Sequence, residues 1–108
     1  MFAVLYRWRL KPGTEPAFRE AWKAMTETIR TRYGTGGSRL HRTDDGELIA
    51  YAAWPSRESW AEAGRFPSSN PEASAKMHEC IEQSLGATLL EVTDDLLTTP
   101  PARGPEEG

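Results

Sequence analysis

The sequence predicts an α+β domain with one antiparallel sheet and helices on one of its faces. Three observations carry this. The first ten residues alternate with period two, as a strand does. The next twenty switch to helical spacing. A helical stretch and a last apolar segment then follow a hairpin signal at Asp45-Gly46, giving the order strand, helix, strand, strand, helices, strand.

Residues 2–10 place Phe2, Val4, Tyr6, Trp8 and Leu10 on one face and Ala3, Leu5, Arg7 and Arg9 on the other. "KPGTEP" stops that strand, because Pro12 has no N–H and Gly13 permits a turn. Thr14 stands where an N-cap belongs, with Glu15 and Pro16 in the first turn. From Thr14 to about Tyr33, the spacing of Phe18, Trp22, Met25 and Ile29 makes one apolar helical stripe. Gly34 follows as a left-handed terminator.

Residues 37–43 and 47–54 form a hairpin around Asp45-Gly46, taken as a two-residue turn. That turn sets Asp44 opposite Glu47, His41 opposite Ala50, Leu40 opposite Tyr51 and Arg39 opposite Ala52. Residues 39, 41, 50, 52 and 54 then share a face. Pro55 ends the strand and Ser56 caps a short helix. Asn70 and Pro71 open a third helix, expected to run to about Leu85 and close at Gly86. Its inner side carries Met77, Cys80, Ile81 and Leu85 or Ser84. Residues 87–97 are the expected last strand. The domain is therefore 1–97. The segment 98–108, "TTPPARGPEEG", has no apolar anchor and three prolines, and is expected to be a disordered tail. The whole matches the split βαβ pattern of a ferredoxin-like domain.

Length and composition bound the function. A chain of 108 residues is one domain. With 38% apolar and 27% charged residues it is an ordinary globular chain, and about 65% burial on folding at this length supports a core without staples. The net charge of -3, with both signs interspersed, argues against a nucleic-acid partner. No apolar run reaches the roughly 20 residues of a membrane span, and "MFAVLYRWRL" reads as a strand and not a signal peptide. The single cysteine, Cys80, makes no internal disulfide, so a cytoplasmic location is expected. No set of His, Cys and acidic residues has metal-ligand spacing; Glu82 four residues from His78 is too little. "GTGGS" does not lead into a helix and is no phosphate cradle.

The strands carry apolar residues on both faces. An antiparallel sheet with one wet face alternates more cleanly. A second cover is implied, and the simplest is another copy of the chain, a homodimer.

The segments "YRWRLKPG", "FREAW", "GSRLHR" and "GELIAYAAWPSRESW" carry a family resemblance over about residues 2–97. The chain resembles the antibiotic biosynthesis monooxygenase family, within the dimeric α+β barrel superfamily. That resemblance implies oxygenation of a small aromatic or quinol-like compound with no metal, flavin or other cofactor. The substrate, deprotonated, activates oxygen, and the protein supplies a dry pocket, a base and polar anchors. Haem-degrading relatives use an asparagine on the first strand, a tryptophan on the second helix and a histidine on the third. Here Tyr6 stands nearest the asparagine, Trp60 lies about one turn from its place and His78 matches, so haem degradation fits poorly.

Within that scheme His41 is the candidate base, since an imidazole titrates near neutral pH. Arg39 or Arg42 would anchor an oxyanion. Tyr6, Trp54, Trp60 and His78 would shape or touch the ligand. Each has a plainer reading. Arg39, His41 and Thr43 would line a solvated sheet edge, the aromatics would be core, and His78 would be a surface helix residue. Arg7 and Arg9 would pair with acids across a dimer interface. The alternative to an enzyme is a non-catalytic homodimeric binding or stress-associated module, its interior filled by side chains.

Overall fold

A computed structural model describes residues 1–97. The expected tail, 98–108, lies outside the described residues. The order is β1 (Phe2–Leu10), α1 (Glu15–Tyr33), β2 (Gly37–Arg42), β3 (Leu48–Trp54), α2 (Arg57–Ala63), α3 (Pro71–Cys80) and β4 (Ile81–Glu91). The sheet has the order β2-β3-β1-β4, and every pairing is antiparallel. This is the ferredoxin-like α+β arrangement.

The alternation in β1 sorts its side chains as expected. Phe2 and Val4 pack with Trp54 in one buried cluster, which Tyr6, Ile29 and Trp60 flank. A second cluster joins Phe18 of α1, Leu48 of β3 and Cys80 of α3, with Trp8, Trp22 and Met77 beside it. Both clusters lie on the even-numbered face of β1. Phe18 is fully buried and meets Trp8 edge-on, with ring centroids 5.1 Å apart.

Two of the three expected helix caps are made. The Ser56 hydroxyl accepts from the Ser59 N–H at 3.0 Å, and Asn70 Oδ1 accepts from the Ala73 N–H at 3.1 Å. Thr14 does not cap in this way. Its hydroxyl instead donates to the carbonyls of Lys11 and Cys80. Gly34 takes the left-handed conformation expected, at φ 65°, and its N–H bonds the Arg30 carbonyl.

The third helix is shorter than expected and the last strand begins earlier. α3 ends at Cys80, and Ile81–Glu91 is strand, not helix to Leu85 followed by strand to 97. The Cys80 carbonyl, unpartnered at a helix end, accepts from the Lys11 N–H at 2.8 Å and from Thr14. The turn after β1 thus closes α3. Gly86 does not end a helix. It has φ 96° in β4, where a register shift against β1 falls between Tyr6 and Trp8.

The hairpin register also differs. Arg39 pairs with Tyr51, Leu40 with Ala50, His41 with Ile49 and Arg42 with Leu48. The connection has three residues, Asp44, Asp45 and Gly46, between Thr43 and Glu47. Gly46 adopts φ 87° and donates its N–H to the Thr43 carbonyl, and Thr43 donates its N–H to the Glu47 carbonyl. This is a tight turn followed by a left-handed residue, not a two-residue turn. One extra loop residue slips the register by one and turns β2 over relative to β3. Ser38, Leu40 and Arg42 therefore share the helix-covered face with Leu48, Ala50, Ala52 and Trp54. Arg39 and His41 share the other face with Ile49 and Tyr51.

That other face is partly apolar, with Leu5, Ile49, Tyr51, Ala53 and Leu90 half-buried in the single chain. Arg7 and Arg9 lie on it too. Both reach Glu47 within the chain, at 3.0 and 3.1 Å, and Arg9 also bonds Gln83.

Candidate functional site

The β1 and β3 side chains that face the helices do not fill the space beneath α1 and α3. A cavity of about 410 Å³ remains, within the range of about 300–1,000 Å³ that suits small ligands. Its walls are Tyr6 and Trp8 of β1, Trp22, Met25 and Ile29 of α1, Trp54 of β3, and Met77 of α3. Small side chains, Ala50 and Ala52, leave the room that larger ones would occupy. No charged side chain lines it among the described residues. The polar contribution is a set of hydroxyls: Tyr6, Thr26, Thr35, Ser38 and Ser74. A side-chain-filled interior, the expectation of the binding-module alternative, is not what the helix-covered face contains.

A second space of about 460 Å³ shares Tyr6, Met25, Ile29 and Trp54 with the first. It continues toward Trp60 of α2 and the segment that joins α2 to α3. Tyr6 stands at the junction. Trp60 Nε1 donates to the Tyr6 hydroxyl at 3.0 Å, and the Tyr6 ring stacks on Trp8 at 5.9 Å and 8°. Burial pushes the Tyr6 phenol above its ordinary value, against a smaller opposing pull from the Trp60 bond. The phenol is therefore protonated at neutral pH.

The structure brings three of the expected site residues together: Tyr6, Trp54 and Trp60. It places the other four elsewhere. His41 is exposed on the far face of the sheet, with Nδ1 3.2 Å from the Ile49 carbonyl oxygen. The register slip is the cause, since His41 faces Ile49 and not the small Ala50. Arg39 is exposed on that same face. Arg42 does point to the helical side, but its guanidinium pairs with both oxygens of Glu15 at the start of α1. That bond holds the Glu15 carboxyl below the usual carboxylate range. His78 is exposed on α3 and lines neither space. The hydroxyl set was missed in the sequence, and only the correct register points Ser38 inward.

Among the described residues, no three His, Cys, Asp or Glu side chains converge to hold a metal ion. No described helix is long and apolar enough to cross a membrane.

Comparison with known proteins agrees with this architecture. The sequence model of a family described as "Antibiotic biosynthesis monooxygenase" matches residues 1–65. Rv0793 from Mycobacterium tuberculosis superposes with a TM-score of 0.70 at 25% identity, covering 89% of this chain and 98% of that one. SnoaB from Streptomyces nogalater, a cofactor-independent oxygenase, has a TM-score of 0.73 at 15% identity, with 88% and 95% covered. At3g17210 from Arabidopsis thaliana has a TM-score of 0.66 at 16% identity, with 89% and 98% covered. No curated protein sequence matches the chain.

Proposed function

We propose a function from one premise: the chain belongs to the antibiotic biosynthesis monooxygenase family. It acts as a cofactor-independent monooxygenase on a small aromatic or quinol-like compound. The observation that carries this reading is the apolar cavity of about 410 Å³ with one protonated phenol at its end. SnoaB, which shares the fold, supports the class of chemistry.

In the reaction the substrate is its own reductant. A quinol and dioxygen give a hydroxyquinone and one water, so one oxygen atom enters the ring and the other leaves reduced. The substrate first gives a phenolic proton to solvent, since no charged side chain lines the cavity among the described residues, and the resulting oxyanion needs a donor in a space of low polarity. Tyr6 supplies it. Indole N–H only donates, so the Trp60 bond uses an acceptor site on the Tyr6 oxygen and leaves the phenolic proton for the ligand. A donor fixed in advance at developing charge is worth most where water is excluded. Trp54 and Trp8 form the flat walls against which an aromatic ring packs. His41 and Arg39 have no part in this scheme, because the register turns both from the cavity.

The working unit is a homodimer. Leu5, Ile49, Tyr51, Ala53 and Leu90 form an apolar sheet face that a second copy would cover. The cytoplasm is the compartment assigned, on the single buried thiol of Cys80.

Oxygen uptake with a panel of hydroquinones and naphthols tests the activity. The expected result is one dioxygen consumed per hydroxyquinone formed from a hydroquinone, or per quinone formed from a naphthol, unchanged by a chelator. Absence of uptake with every member, under conditions where the same compounds bind, would remove the oxygenase reading.

A further inference from the structure

The cavity has two polar ends of different kinds. At one, the Tyr6 hydroxyl accepts from Trp60 and keeps its proton for a ligand. The other lies toward the outer strand, at Ser38. Leu40 packs into the cluster of Phe18 and Leu48, and Arg42 reaches Glu15 of α1. Alternation along β2 therefore turns the Ser38 side chain to that same side, onto the cavity wall.

The register sets how the two ends stand. Ser38 pairs with Ala52 and Ala52 with Val4, while Tyr6 lies two residues beyond Val4, beside Ala50. Two strand spacings of about 4.8 Å and two residues of about 3.4 Å put the Tyr6 and Ser38 Cα atoms about 12 Å apart. The β3 side chains between them are Ala50 and Ala52. The floor that joins the two hydroxyls is thus a pair of methyl groups, on which a flat ring lies.

Of the aliphatic hydroxyls in the wall, Ser38 is the one left for a ligand. Thr35 accepts from the Gly37 N–H at 3.3 Å. Thr26 and Ser74 stand on helices, where a hydroxyl can turn to a carbonyl one turn back. Ser38 is half-buried on a strand, and its hydroxyl bonds to no protein group among the described residues.

We propose that Ser38 determines specificity by holding the second oxygen of a ring oxygenated at both ends. This rests on the cavity being the substrate site, as read above. The substrate is then a 1,4-dihydroxyarene, with one oxygen at Tyr6 and the other at Ser38, and a ring with a single hydroxyl is the poorer ligand. The reaction requires a versatile partner at this place. The second oxygen is an O–H donor in the quinol and a carbonyl acceptor in the hydroxyquinone. A serine hydroxyl accepts from the first and, by rotating, donates to the second. Ser38 takes no part in the activation of oxygen.

Calorimetric titration of the full chain under nitrogen, where no turnover occurs, tests this with two probes of one ring system, 1,4-dihydroxynaphthalene and 1-naphthol. The wild type is expected to bind the dihydroxy probe about three- to tenfold tighter, the worth of one neutral hydrogen bond. Ser38→Ala removes the preference and leaves naphthol affinity as it was, which also certifies the fold of the variant. Ser38→Thr keeps a hydroxyl and with it the preference. Naphthol binding with no preference in the wild type overturns the role of Ser38 and leaves the oxygenase reading standing. So does a preference that survives Ser38→Ala, one that is lost in Ser74→Ala instead, or one that Ser38→Thr fails to keep. If neither probe binds, the cavity as substrate site fails, and the role of Ser38 with it.

Discussion

Trp60 Nε1 donates to the Tyr6 hydroxyl at 3.0 Å, and this bond joins α2 to the central strand β1. It is the side-chain hydrogen bond on which the orientation of the cavity's phenol depends. Helix α2 is a single short element of seven residues, so much of its value to the fold and to the site passes through this contact.

Tyr6→Phe removes the acceptor for Trp60 and the donor for the substrate together. Turnover of quinols is expected to fall by about a hundredfold, the order found when one preorganised donor at an oxyanion is deleted. The indole N–H is left unpaired, so stability drops by about 1–2 kcal/mol. Oxygen uptake and urea denaturation measure the two effects separately. Trp60→Phe keeps the phenol but frees its orientation, and its expected loss in kcat is smaller than that of Tyr6→Phe.

His41→Ala should leave turnover as it is in the wild type, and stability within about 0.5 kcal/mol. The imidazole is exposed on the face opposite the cavity. A large loss of kcat with unchanged folding would mean that the base sits on the open face after all.

Acid should weaken the fold through two carboxylates. Hydrogen bonds from Arg42 hold Glu15, and those from Arg7 and Arg9 hold Glu47, below the ordinary value of 4.5. A group lowered in the folded state stabilises the fold above its ordinary value, and the contribution is lost as pH falls through the lowered one. Urea midpoints are expected to stay level from neutral pH down to about 5 and to decline below 4.5. Glu47→Gln should make that decline shallower.

Tyr51→Arg or Ile49→Arg places a charge in the apolar sheet face. Light scattering is expected to report twice the chain mass for the wild type and the single chain mass for either variant. A wild type that is monomeric at every concentration would remove the dimer.

The sequence was most legible where one rule acted alone. The period-two run of Phe2, Val4, Tyr6 and Trp8 and the stripe of Phe18, Trp22, Met25 and Ile29 each have a single reading, and both faces came out as expected. The boundary at Cys80–Ile81 was not legible. Met77, Cys80, Ile81 and Ser84 keep helical spacing, and what ends the helix is the Lys11 N–H, about seventy residues away in sequence. The site divided in the same way. Tyr6, Trp54 and Trp60 follow from strand faces and helix position. His41 and Arg39 depended on the length of one turn, and Asp45-Gly46 is compatible with loops of two residues or three.

That turn gives the pocket a parity. With three residues between Thr43 and Glu47, the outer strand offers Ser38 and Leu40 to the interior and leaves Arg39 and His41 outside. Loss of one of the two aspartates, with pairing otherwise retained, would exchange the two sets. A single deleted codon would thus convert a wall of hydroxyl and methyl groups into one carrying a guanidinium and an imidazole. Relatives that differ by one residue at this tip are accordingly the ones in which to look for a different ligand.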